Sequence, residues 1–280
     1  MVTKSPTVRH RRLGRELRQS REAAGLTPEI AGRQLGWSRS KISRIETARL
    51  LPTITDVGHA CDLYGLNREK KAGLIQLTKE AGQRGWWTAY DDVFTTAFVG
   101  LEAESVAIRA WEPLLIPGLL QSEGYARGLM SAPGNLDEAE LKRRVDARMQ
   151  RKIVLHRPSA PSLHAVVDEP ALRRPAAPGI MARQLDDLLQ VADWPHVTIQ
   201  VLPLSAGQHI GLDGAFTLFS FGEEDPEVGY IGGPGGNLYV EAPARVRDLR
   251  LTFERLADQA LSPEQSAALI AAVRSEHDLP

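Results

Sequence analysis

The run TPEIAGRQLGWSRSKISRIETAR, residues 27–49, restricts what this chain can fold into more than any other stretch. Thr27 is placed to cap a helix whose first residue is Pro28, a position where the missing N–H costs nothing. Ile30, Ala31 and Leu35 then share an inward face, with Ala31 small enough for a second helix to cross closely. Gly36 ends that helix, a tight turn passes through Trp37, and Ser38 caps the next helix. There Ile42 and Ile45 lie one turn apart and face inward, leaving Arg39, Ser40, Lys41, Ser43, Arg44 and Thr47 outward. Two helices joined at a short glycine-containing turn form a helix-turn-helix, the second helix shaped for a DNA major groove.

Charge supports an anionic partner for this stretch. Through Arg84 the chain holds 17 Lys+Arg against 8 Asp+Glu, and the remainder holds 17 against 27, so a net charge of −1 hides a basic N-terminal part and an acidic remainder. At 280 residues two domains are expected, and the asymmetry places them on either side of this division. No apolar run approaches the length of a membrane helix, and the start MVTKSPTVRHRRLGREL lacks an apolar signal region, so a soluble cytoplasmic protein with no membrane partner is expected. The single cysteine, Cys61, excludes an intrachain disulfide and a cysteine-cluster metal site, and its apolar neighbours make it a small core residue.

Residues 1–12, with Pro6 and the cluster Arg9, His10, Arg11 and Arg12, read as a flexible basic arm that tracks a phosphate backbone, enters a minor groove or is merely solvated. Short helices are predicted over 13–24, 28–35, 39–47, 53–64 and 68–81, making an all-α five-helix domain over 13–82. The segment GQRGWWTAYDDVF, with Trp86 and Trp87, marks a boundary and is expected to dock the two parts together. From 83 to 280 an α+β domain is predicted. Its helices include SEGYARGLM, LDEAELKRRVDARMQRKIVL, PGIMARQLDDLLQVADW and two near 243–260 and 263–276. Its five strand-like segments, SLHAVVDE, HVTIQVLPL, GAFTLFSF, EVGYIGG and NLYVEA, predict a small, mainly antiparallel sheet, with GGPGGN as a hairpin tip.

The pattern REAAGLTPEIAGRQLGWSRSKISRIETARLLPT closely resembles the Xre/Cro/434-repressor type of helix-turn-helix over roughly residues 13–78. That resemblance implies base contacts from Arg39, Ser40 and Arg44, backbone contacts from Thr27, Ser38 and Lys41, and an internal ion pair between Arg21 and Glu46 that supports the recognition helix. Pro28 replaces a glutamine common in the family, which removes one polar contact and leaves the operator sequence open. Arg39 and Arg44 carry the planar fork that pairs with guanine O6 and N7, so guanine-containing half-sites are expected, although the same arginines also suit a solvated helix face. One module covers about half a turn of groove, so a homodimer on a pseudo-palindrome is expected.

In the acidic part, GWWTAYDD, WEPLLIPGLLQSEGYARGLM, RVDARMQRKIVL, DEPALRR and QLDDLLQVADWPHVTIQVLPLSAGQHIGLDGAFTLFSF are similar to the large domain that follows Xre-type modules in many actinobacterial regulators. The similarity implies antitoxin-like or developmental regulation through a small partner protein, and no enzymatic activity. A small-molecule sensor is the alternative, its ligand shifting the DNA-binding equilibrium. No nucleotide loop, His-Glu-x-x-His or Gly-x-Ser-x-Gly is present, so no catalytic residue, metal or cofactor is assigned. Trp111, Leu114, Leu115, Ile116, Leu119, Leu120 and Tyr125 suit either a core or an interface. Each of the dispersed histidines is expected to be a satisfied structural residue.

Overall fold

The structure, a computed structural model, describes residues 8–82, 96–132, 134, 136–222, 225–233 and 236–277. It divides into two compact units, Met1–Leu101 and Glu102–Pro280. Trp86 and Trp87, expected to join the parts, lie outside the described residues.

The first unit is built from α1 (Val8–Ala23), α2 (Pro28–Leu35), α3 (Arg39–Glu46), α4 (Ile54–Leu63) and α5 (Arg68–Ala81). Caps set these boundaries. Thr27, Ser38, Thr53 and Asn67 each accept an N–H from the first turn of the following helix, satisfying one donor that has no partner within it. The helices enclose a core of Leu13, Leu17, Ala31, Ile42, Ile45, Val57, Ala60, Cys61, Tyr64 and Leu74. Two expectations need correction. Residues 8–12 belong to α1 rather than to a flexible arm, because the basic cluster continues a helical pattern and Arg9 reaches Glu80 on α5 at 4.0 Å. Ile30 is 41% exposed, and the buried face of α2 is carried by Ala31 and Gly32.

α6 (Thr96–Glu104) runs across the division, and the second unit follows as β1 (Ala107–Glu112), α7 (Glu123–Ser131), α8 (Glu138–Arg151), β2 (Ser162–Asp168), α9 (Glu169–Arg173), α10 (Ile180–Ala192), β3 (Val197–Leu202), β4 (Phe216–Ser220), β5 (Val228–Gly233), β6 (Gly236–Val240), α11 (Pro243–Gln259) and α12 (Pro263–Glu276). The sheet is six-stranded and mixed, in the order β3-β2-β1-β4-β5-β6, and this replaces the small, mainly antiparallel sheet expected. β1–β2 and β2–β3 are parallel, while β1–β4, β4–β5 and β5–β6 are antiparallel. Parallel neighbours need a long crossover, supplied by α7–α8 and by α9–α10. Antiparallel neighbours need only a turn, and within GGPGGN β5 and β6 pair Gly232 with Asn237 and Gly233 with Gly236.

The strand absent from the sequence reading, β1, lies in the middle of the sheet. Its Trp111 is fully buried and donates Nε1–H to the Gly211 carbonyl at 2.9 Å. Trp111, Val166, Leu202, Phe216, Leu218, Val240, Val246, Phe253 and Leu256 form one core cluster, with α11 lying across β3, β1, β4 and β5. α12 starts in a capping box made by Ser262 and Gln265 and packs on β3 and α10. Ser266 Oγ accepts the Val201 N–H at 2.9 Å, so the outer edge of β3 is partly satisfied. Among the described residues no helix is long and apolar enough to cross a membrane.

Candidate nucleic-acid interface

The turn between α2 and α3 fixes how α3 is presented. Gly36 closes α2 in the left-handed region at φ 69°, which a side chain would strain, and the Trp37 N–H returns to the Gly32 carbonyl at 2.7 Å. Ser38 Oγ accepts the Lys41 N–H at 3.1 Å, and α3 begins there. Ile42 and Ile45 anchor its inner face at 2% and 3% exposure, each contributing about 1.5–3 kcal/mol of apolar burial. The C-terminal end of α3 is pressed against α1. A methyl group at Gly14 would stand 2.7 Å from the Ile45 carbonyl, so this crossing requires glycine.

A buried ion pair fixes the same crossing. Arg21 of α1 donates from Nε to Glu46 Oε1 at 2.6 Å, from Nη2 to Oε2 at 2.9 Å and from Nη1 to the Leu26 carbonyl at 2.6 Å. The two side chains are 5% and 8% exposed. Glu46 holds the Arg21 guanidinium above its usual range, and burial pushes the neighbouring Tyr64 hydroxyl up to about 12, helped by the Glu46 charge. The structure therefore brings together the pair that the family resemblance implied.

The outer face of α3 exposes Arg39, Ser40, Ser43 and Arg44. Arg44 and Ser40 have no side-chain partner among the described residues, and the flanking Arg33 and Arg49 are likewise exposed. Arg39 is held by Glu29 of α2, Nε to Oε1 at 2.7 Å. Lys41 stands apart from this row, because its ammonium is 2.8 Å from Asp56 Oδ1 and 4.1 Å from the Trp37 ring centroid. Burial works to raise the Asp56 carboxyl, but Lys41 and the Thr53 amide and hydroxyl outweigh it and hold it below its usual range. Thr27 and Ser38 spend their hydroxyl oxygens capping α2 and α3.

Sequence reasoning missed Glu29, Trp37 and Asp56 as residues that shape this face. Asp56 carried a signal, since Thr53-x-x-Asp56 has the spacing of a capping box, and both of its hydrogen bonds form. Its link to Lys41 joins α3 to the start of α4 and is a property of packing.

The profile of the family described as Domain of unknown function (DUF5753) matches residues 95–272. The chain belongs to the DUF5753 family. A second profile, described as Helix-turn-helix domain, matches residues 12–74, from within α1 to within α5. The helix-turn-helix domain marks this DUF5753 protein as a DNA-binding regulator. No curated protein and no solved structure matches the chain.

The DUF5753 region carries its own charged cluster. Arg151 of α8 donates to both oxygens of Glu102, at 2.9 and 2.6 Å, with the two side chains 7% and 5% exposed. Arg148 donates Nη1–H to Gln121 at 2.6 Å, and burial together with Arg151 lowers it to about 10. Burial raises Glu112, at the end of β1, to about 7 against the pull of Arg148 and Arg151. His209 Nε2 lies 3.7 Å from Asp168 Oδ2, His164 meets Gln200 at 2.7 Å, and His196 stacks on Trp194. Among the described residues, no three His, Cys, Asp or Glu side chains are grouped to hold a metal ion. Trp111, Ile116, Leu119, Leu120 and Tyr125 are core residues, whereas Leu114 and Leu115 are 61% and 37% exposed.

Glu112 gives a pH prediction. A carboxyl near 7 in the folded chain and 4.5 when unfolded binds its proton more tightly in the folded state. Its stabilisation is complete below pH about 4.5 and is lost as pH rises through about 7, amounting to at most about 3 kcal/mol. Denaturant unfolding at pH 5 and pH 8 is expected to show a smaller loss of stability for Glu112→Gln than for the parent chain; equal losses would count against a buried, protonated Glu112.

Proposed function

We propose that this protein is an Xre-type transcriptional repressor that binds a guanine-containing inverted repeat as a homodimer, cytoplasmic and associated with the nucleoid. The observation that carries the reading is the two-sided character of α3. Its inner side is pinned by Ile42, Ile45 and the Arg21–Glu46 pair, while its outer side offers Arg39, Ser40 and Arg44 to solvent. A rigidly held helix with outward guanidinium groups suits base reading in a major groove. Thr27 and Ser38 lie at the helix starts, which supports their assignment as backbone contacts, and Lys41 serves a phosphate only by sharing its ammonium with Asp56.

Selection of duplexes by the full chain, then titration of the best site at two salt concentrations, tests this reading. Arg44→Ala and Arg39→Ala are each expected to weaken the selected site by about 1–3 kcal/mol and to relax one base position. Base preference unchanged in both variants would remove these residues from the contact set.

The role proposed for the DUF5753 region is non-enzymatic: it joins two copies and receives a regulatory signal from a small partner protein in an antitoxin-like manner. Exposed Leu114 and Leu115 after β1, and Leu204, Ile210 and Leu212 after β3, support a protein-binding role. A small-molecule input is the second reading. It is favoured by a cleft of about 540 Å³ between α7 and residues 174–180, with Leu129, Ala177 and Ile180 in its lining and Arg174 at its exposed rim.

A further inference from the structure

We infer that Glu29 is a specificity-determining positioning residue that orients Arg39 for guanine, an inference resting on the base-contact reading above. Glu29 is the second residue of α2, where N–H groups without helical partners gather. Its own backbone N–H, then Arg39 and the Thr27 hydroxyl, hold the carboxyl below its usual range, so it is ionised near neutral pH. From this anchored position Oε1 stands 2.7 Å from Nε of Arg39, an ion pair that crosses from α2 to α3.

The geometry of guanidinium gives this contact a consequence. Arginine has five N–H donors in a planar fork, and a carboxylate paired on the Nε side leaves the two Nη groups as a matched pair. Guanine presents O6 and N7 as two adjacent acceptors in the major groove. With its side chain 74% exposed, an untethered Arg39 would have to be ordered when DNA binds, at a cost in affinity. Glu29 supplies much of that order beforehand. The pair is weak in water but is strengthened when the DNA interface excludes solvent. The carboxylate also opposes any register in which this end of α3 meets only phosphate, since like charges repel. Glu29 therefore acts through Arg39, favouring one base over the others without itself touching a base.

The test uses the full chain and four proteins: parent, Arg39→Ala, Glu29→Gln and Glu29→Asp. Competition between the selected duplex and its single-base variants identifies the position whose preference disappears in Arg39→Ala. At that position Glu29→Gln is expected to lower discrimination about 3–10-fold, with preference at the Arg44 position retained. Glu29→Asp, charged but one methylene too short to reach Nε, is expected to lose discrimination similarly. Thermal unfolding of both Glu29 variants should match the parent, since the residue is exposed. Parent-like discrimination in both overturns the inference while leaving the base-contact reading intact. Preference unchanged in Arg39→Ala overturns the reading and the inference together.

Discussion

Glu46→Ala is expected to destabilise the helix-turn-helix unit by about 3–5 kcal/mol and to abolish most sequence-specific DNA binding at 37 °C. The variant leaves the Arg21 guanidinium, only 5% exposed, with the Leu26 carbonyl and, as its one remaining counter-charge among the described residues, the exposed Glu22 carboxylate at 3.5 Å. A domain of this size has about 5–10 kcal/mol of stability in total, so such a loss consumes most of its margin. The effect on DNA is indirect. Glu46 is the last residue of α3 and ties it to α1 beside the Gly14 crossing, so its removal frees the helix that carries Arg39 and Arg44. The double variant Arg21→Met, Glu46→Leu is expected to recover much of the stability, because an apolar pair of similar volume avoids the cost of desolvating two charges. Far-UV circular dichroism against urea, alongside DNA titration, checks both. A single-variant loss below about 1 kcal/mol would mean that water reaches the pair and that other contacts set the position of α3.

Trp111→Ala is expected to cost the DUF5753 unit about 3–5 kcal/mol, the largest effect of any single truncation there. The indole is fully buried in the central strand, packs edge-on against His209 at 5.4 Å and holds the Gly211 carbonyl. Its truncation combines a cavity with a lost hydrogen bond, and the segment 210–213 loses its tie to the sheet. Urea unfolding followed by circular dichroism is expected to show an earlier transition for this unit. Trp111→Phe should retain most of the packing and lose the hydrogen bond, for a cost of about 1–2 kcal/mol. Equal costs for the two variants would show that the hydrogen bond, and not the filled volume, holds the strand.

The helix-turn-helix was legible because everything that defines it is local. Thr27, Pro28, Gly36 and Ser38 mark helix ends through backbone chemistry within four residues, and the observed bounds of α2, α3 and α5 match the expectation to within a residue. The buried positions Ala31, Ile42 and Ile45 follow from helical periodicity. Other features depend on contacts between distant segments. β1 is short and merges into the apolar run WEPLLIPGLL, and its parallel partner β2 begins only at Ser162, so nothing near Ala107–Glu112 announces a central strand. Once that strand is absent, five visible strands suggest hairpins, and the mixed order of the sheet is lost with it. The pairs Arg39–Glu29 and Lys41–Asp56 were equally hidden, because both acids look like ordinary helix-start residues in sequence. The sequence by itself determined the capped helices, the inner and outer faces of α3 and the basic–acidic division. Only the tertiary structure decided which acid meets which outward cation and where each strand pairs, since both depend on chain closure over many residues rather than on local backbone preference.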